Sequence, residues 1–218
     1  MIYYWVAFSL AAYLLASIPC GKIVAQKVVS IDITRRGSGN IGATNVSREL
    51  GLKWGVVTLV LDCLKGFLPV FLAGRYLSHP GNVSAWGLSA IAVASLLGHQ
   101  FSLFQKFKGG KGVATALGIY LAISPVPCLI AVLLFVLMVY KWKYVSLGSM
   151  VSACSLPVLV TLFGKPIPIG IGAFVIALLI FLKHRDNIVR LARGQEHGWR
   201  KEPDQPSLST SRSSSSSE

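Results

Sequence analysis

Charge is what this chain has least of. Charged side chains make up 13% of its 218 residues, against roughly 25% in a soluble domain. Acid is scarcer still: 8 Asp and Glu stand against 21 Lys and Arg, a formal net charge of +13. With 53% hydrophobic residues and a mean hydropathy of +0.62, there is too little polar side chain to cover a water-facing globule. That excludes a cytosolic domain, a disordered chain and a secreted disulfide scaffold. Cysteine carries no pattern. Cys20, Cys63, Cys128 and Cys154 lie in or at the ends of apolar runs, with no C-x-x-C and no Cys/His cluster. They read as small buried hydrophobes, and neither a metal nor a cofactor is expected. What remains is an all-α integral membrane protein.

Crossing a hydrocarbon core of about 30 Å takes about 20 apolar residues. The apolar runs are Ile2 to Pro19, Trp54 to Ala73, Ser84 to Phe104, Tyr144 to Phe163 and Pro168 to Leu182. A longer one, Val113 to Tyr140, is broken by Ser124-Pro125-Val126-Pro127. The first run has no basic residue before it, and Pro19 directly precedes Cys20, so it reads as a retained helix and not a cleaved signal. Basic residues gather at Lys22 to Lys53, Lys106 to Lys111, Lys141 with Lys143, and from Lys183 onward, which is 18 of the 21. Lys and Arg concentrate on the cytoplasmic side of membrane proteins. All four clusters share that side only if the broken run is two helices. The expectation is seven transmembrane helices, N-terminus outside and C-terminus cytoplasmic, with residues 1–202 as one transmembrane domain. Each half of the broken run is only about 20 Å long, short for a full crossing. The Ser-rich tail, 203–218, is expected to be disordered.

Three basic segments then share one face, and each holds more than charge. The first runs from Arg35 through Gly37-Ser38-Gly39-Asn40-Ile41-Gly42-Ala43-Thr44-Asn45 to Arg48. Its G-x-G-x-x-G lacks the preceding strand of a dinucleotide site. Ala43 to Leu50 has helical character, which puts Ser38 to Asn40 near a helix start that favours an anion. Thr44 and Arg48 are four apart and share a helical face. The second segment, Gly98-His99 and then Lys108-Gly109-Gly110-Lys111-Gly112, fails the Walker A pattern. Its glycines around Lys111 still make a second anion cradle, with His99 as possible support. The third carries His184 and Asn187 three apart, and ends in Gly194-x-Glu196. Arg185 and Arg190 are expected to face headgroups or solvent. Asp62 and Lys65 lie three apart inside a span, where ionisable residues are functional candidates by default, and are read as pairing with each other.

Taken in order, S-G-N-x-G-A-T-N-x-x-R, G-H-x-F…F-K-G-G-K-G-V-A-T and H-R-x-N-I-x-R-L-x-x-G-x-E closely resemble the bacterial membrane-integral acyl-phosphate:glycerol-3-phosphate acyltransferases, the PlsY family, from Ile2 to about Glu196. The resemblance implies acyl transfer from an acyl phosphate to the sn-1 hydroxyl of glycerol 3-phosphate, the first step of phospholipid synthesis. The products are lysophosphatidic acid and inorganic phosphate. It implies catalytic roles for Ser38, Arg48, Lys111, His184 and Asn187, and phosphate binding by Gly39, Asn40, Gly42, Thr44, Asn45, Gly109 and Gly110. Ile41 stands where Pro is common in the family, and is expected only to stiffen or shift the turn. The implied setting is the bacterial inner membrane, with the motifs on the cytoplasmic side, membrane lipid around them and a partner enzyme that makes acyl phosphate. No nucleic-acid partner is expected. H-x-x-x-x-D, the usual acyltransferase His–Asp pair, is absent from the chain. Either His184 or the substrate's own phosphate then takes the hydroxyl proton. A phosphate-solute transporter is the competing class, but no internal repeat is evident and the functional clusters all lie at one membrane face. A lipid-binding scaffold would need only charge, and would tolerate Arg48→Lys.

Overall fold

The computed structural model describes residues 2–76 and 85–199. Ser84, the Ser-rich tail and the basic residues Arg200, Lys201 and Arg212 lie outside them. Among the described residues every regular element is helical. The helices are α1 (Ile2–Ala16), α2 (Cys20–Val29), α3 (Ala43–Leu50), α4 (Leu52–Tyr76), α5 (Ala85–Gln100), α6 (Val113–Ile123), α7 (Pro125–Trp142), α8 (Val145–Leu162), α9 (Ile167–Lys183) and α10 (Arg185–Ala192).

The breaks follow from local chemistry. Pro19 has no N–H to continue the helix, so the chain bends between α1 and α2. The helix that resumes at Cys20 was not expected from its polar, Gly-containing sequence. Pro125 opens α7 at its first turn, where a missing N–H costs nothing, so the long apolar stretch is indeed two helices. The α6 half has 11 residues and covers about 16 Å at 1.5 Å per residue, roughly half a bilayer core. Among the described residues five helical stretches are long and apolar enough to cross a membrane, the first of them α1 and α2 together, or six if α9 and α10, bent by 60°, count as one span.

The bundle is apolar inside and out. Leu96, Ile119, Tyr120, Ile176 and Ile180 fill its core, while Leu10, Leu72, Leu133 and Phe174 are exposed on its flanks. A water-soluble bundle would carry polar residues there. Cys20 and Cys128 are buried as expected, but Cys63 is half-buried and Cys154 is exposed on α8. A surface facing lipid accepts a thiol as readily as a core does.

Small residues bring α4 and α6 together. A Cβ at Gly118 would lie 1.9 Å from the Cys63 carbonyl oxygen, and one at Gly66 2.2 Å from that of Thr115. Helices in lipid associate largely through such close backbone packing. Gly118→Val is therefore expected to lower the thermal unfolding midpoint in detergent, at an overpacking cost of about 1–3 kcal/mol. Gly74→Ala, with nothing within 4 Å of its added Cβ, serves as the neutral control. A second, smaller core of Val24, Ala25, Ile33, Ile41 and Val46 joins α2 to α3. Ile41 is 5% exposed there, so it anchors this core and does more than stiffen a turn.

Candidate functional site

The three basic segments meet at one cavity of about 160 Å³. The α3 side contributes Ser38, Asn40, Gly42, Thr44, Asn45 and Arg48. Leu59 and Asp62 of α4, His99 of α5 and Lys111, just ahead of α6, form its floor. His184, Asn187 and Arg190 close the far wall, and Glu196 with His197 lies across it. The first motif folds around one side chain. Asn45, 1% exposed, accepts the Ser38 N–H at 2.9 Å and donates to the carbonyls of Ile33, Arg36 and Asn40. Asn40 Oδ1 in turn accepts the Gly42 N–H at 2.9 Å. This bonding holds Ser38, Thr44 and Arg48 against the cavity.

Lys111 and Asn187 join the second and third motifs directly. Lys111 Nζ donates to Asn187 Oδ1, and Asn187 Nδ2 donates to Glu196 Oε1 at 2.7 Å. Glu196 also accepts from Ser146 Oγ at 3.0 Å and from Arg190 Nε at 2.9 Å. Burial raises the Glu196 pKa, but the hydrogen bonds from Asn187, Ser146 and Arg190, with the Arg190 charge, outweigh it and leave the carboxyl below its ordinary value. For Lys111, burial comes first, and with the Arg190 and Arg48 charges it lowers the pKa to about 8 against the opposing pull of Glu196. His184, 2% exposed, places Nδ1 at 2.8 Å from the Ile180 carbonyl oxygen. A carbonyl only accepts, so Nδ1 carries the proton and Nε2 is left with the lone pair. Arg48 donates to the Gly198 carbonyl at 2.7 Å, while its buried Nε has no partner among the described residues.

Not every residue singled out in the sequence reaches the cavity. Gly39, Gly109 and Gly110 do not line it. The N–H groups of Gly109 and Gly110 bond the carbonyls of Gln100 and His99, both at 3.2 Å, and that of Gly39 bonds the Arg36 carbonyl. Their place is in close backbone packing beneath Lys111 and beside Ser38. Arg190 departs from its expected place at the headgroups, because its ion pair with Glu196 turns it inward. Arg185 is exposed, as expected. Glu196 and Ser146 escaped the sequence reading as site residues. The Gly194-x-Glu196 ending of the third motif was a signal for the first, whereas a serine in an apolar helix gave none for the second.

A helical bundle with apolar flanks and a cationic cavity at its helix ends defines a class: a membrane-integral protein equipped to hold anionic groups. Sequence comparison makes this specific. The chain belongs to the glycerol-3-phosphate acyltransferase family, whose profile matches residues 6–194. A glycerol-3-phosphate acyltransferase of Geotalea daltonii is 48% identical over 188 residues, 86% of this chain and 94% of its own. That of Aquifex aeolicus is 44% identical over 187 residues, 85% of this chain and 94% of its own. The crystal structure of PlsY (YgiH), an integral membrane glycerol 3-phosphate acyltransferase in its glycerol 3-phosphate form, matches with a TM-score of 0.84 at 41% identity, over 89% of this chain and 94% of that one. Its lysophosphatidic acid form matches with a TM-score of 0.82. The chain is accordingly a multi-pass membrane protein of the acyltransferase class.

Proposed function

We propose that the protein moves a fatty acyl group from an acyl phosphate to the sn-1 hydroxyl of glycerol 3-phosphate, releasing lysophosphatidic acid and inorganic phosphate. The observation that carries this reading is the convergence of Arg48, Lys111 and Arg190 on one cavity that also holds His184 and Asn187. Both substrates carry phosphate, and both need cations on the same side of the reacting carbonyl. One relative, crystallised in a glycerol 3-phosphate form and in a lysophosphatidic acid form, supports the acceptor and the product.

In this reading Arg48 and Lys111 bind phosphate, and Ser38 and Thr44 hydrogen-bond the phosphate of the donor. His184 and Asn187 place glycerol 3-phosphate. Phosphate is already a good leaving group. Positioning the hydroxyl and stabilising charge on the carbonyl oxygen then supply most of the rate. His184 Nε2 and the substrate phosphate are both suited to accept the hydroxyl proton. The apolar lining from Leu59, Val113 and Phe135 gives the acyl chain a path towards lipid. No metal is called for, and the acyl phosphate comes from a separate enzyme.

The orientation belongs to the same proposal. In it α1 and α4 to α9 are the seven crossings, the N-terminus is outside, and the cavity opens on the cytoplasmic face of the bacterial inner membrane. Residues 1–202 then form one catalytic domain and 203–218 a tail outside it. The deciding experiment supplies purified protein with glycerol 3-phosphate and palmitoyl phosphate, palmitoyl-CoA or palmitoyl carrier protein. Lysophosphatidic acid is expected from palmitoyl phosphate alone. Product from either thioester alone would overturn the donor assignment.

A further inference from the structure

Asp62 and His99 in the cavity floor, with Lys65 paired to Asp62, form a buried charged cluster that the proposed reaction does not use. Asp62 is 2% exposed, Lys65 5% and His99 3%. Lys65 Nζ lies 2.8 Å from Asp62 Oδ1. Such a pair is rarely retained for stability, since well-packed apolar residues of similar volume serve as well or better. A chain with this little acid nevertheless has a carboxylate inside a membrane helix.

We propose that Asp62, held by Lys65, is a positioning residue for the loop that carries Lys111, and that it acts through His99. The inference rests on the acyltransferase reading. Lys65 also donates to the Ile18 carbonyl at 2.9 Å, at the bend between α1 and α2. That hydrogen bond fixes the ammonium, and the ion pair holds the carboxylate beside it, although Asp62 Oδ1 accepts no hydrogen bond among the described residues. Asp62 Oδ1 then lies 3.8 Å from His99 Nδ1, which is also 3.0 Å from Thr115 Oγ1. The negative charge favours the tautomer with its proton on Nδ1, facing the carboxylate and the hydroxyl.

The opposite edge of the ring meets the loop. A Cβ at Gly110 would lie 2.3 Å from His99 Nε2, so only glycine lets the backbone pass this close. Gly110 N–H donates to the His99 carbonyl, and Gln100 Nε2 donates to the Lys111 carbonyl at 2.8 Å. The Lys111 backbone is thus moulded on the end of α5, and the ring at that end is oriented by Asp62. Contacts run unbroken from the bend after α1 to the Lys111 loop.

The test compares Asp62→Asn/Lys65→Met with wild type, because removing both charges leaves neither one buried alone. His99→Asn is the second variant and keeps the charge pair intact. Steady-state kinetics with palmitoyl phosphate and varied glycerol 3-phosphate are combined with thermal unfolding and with calorimetric binding of glycerol 3-phosphate. Both variants are expected to fold, and to raise KM for glycerol 3-phosphate by about 10- to 100-fold with kcat little changed, as misplacement of a binding group does. A purely structural cluster would instead lower the active fraction, and so kcat, at unchanged KM. That result in His99→Asn, or wild-type kinetics in either folded variant, overturns the positioning role while the acyltransferase reading stands. Wild-type protein that neither acylates nor binds glycerol 3-phosphate overturns that reading, and this inference with it.

Discussion

Lys111→Ala is expected to leave a folded protein whose kcat/KM for glycerol 3-phosphate is about 10²- to 10³-fold lower, chiefly through KM, the scale for truncating one partner of a buried charged contact. The ammonium joins two of the three motifs through Asn187 and has Arg48 and Arg190 nearby in the cavity. Lys111→Arg keeps the charge but replaces a compact ammonium by a wide planar fork. It should recover little, which also separates the enzyme from a scaffold that needs only charge. The pH profile gives an independent check. With its pKa lowered to about 8, Lys111 loses its charge as pH rises through that value, and kcat/KM for glycerol 3-phosphate should fall with it. Stability moves the other way. The folded pKa lies below the unfolded one, so between about 8 and the ordinary lysine range the unfolded chain holds more proton, and raising pH favours the folded state through this group. Activity lost at alkaline pH by a protein that keeps its unfolding midpoint identifies Lys111 as the source. A loss that persists unchanged in Lys111→Arg points to another group.

His184→Gln is expected to lower kcat/KM by about 100-fold or more, within the range for general acid–base groups. The ring is buried with Nδ1 tied to the Ile180 carbonyl, and glutamine cannot hold that bond and also present an acceptor where Nε2 stands. How the loss divides between constants is informative. A fall in kcat at steady KM makes Nε2 the proton acceptor. A rise in KM at steady kcat leaves the proton to the substrate phosphate and gives His184 a placing role. Unchanged kinetics would remove His184 from the site.

Much of the scaffold was legible because lipid imposes simple rules. Apolar runs gave α1, α4, α5, α8 and α9, and the Ser124-Pro125 break gave α6 and α7. The helical character of Ala43 to Leu50 gave α3, and the spacing of Thr44 and Arg48 put both on its cavity face. The misses have physical causes. α2 is short and carries Lys22 and Lys27, so no apolar run marked it, and it packs against α4. Arg190 looked solvent-bound because its partner, Glu196, lies beyond the helix and meets it only through a turn. Gly109 and Gly110 looked like anion donors because sequence shows that an N–H is available but not that a carbonyl of α5 takes it. Asp62 and Lys65 were legible as a pair, whereas His99 and Ile18, brought in by other helices, were not.

The last structural detail bears on how the protein is made. Glu196 follows every helix of the bundle in chain order, and the segment after α10 returns to α3 through the bond from Arg48 to Gly198 and to the end of α7 through Trp199. Translation delivers this residue after the apolar segments have entered the bilayer. Until then Arg190 has no carboxylate to turn it inward, and the wall of the cavity is open. A nascent chain that has inserted but not finished would therefore hold acceptor poorly and consume no activated acyl groups, and a truncation just past α10, which keeps His184, Asn187 and Arg190 but not Glu196, should insert normally yet remain inert.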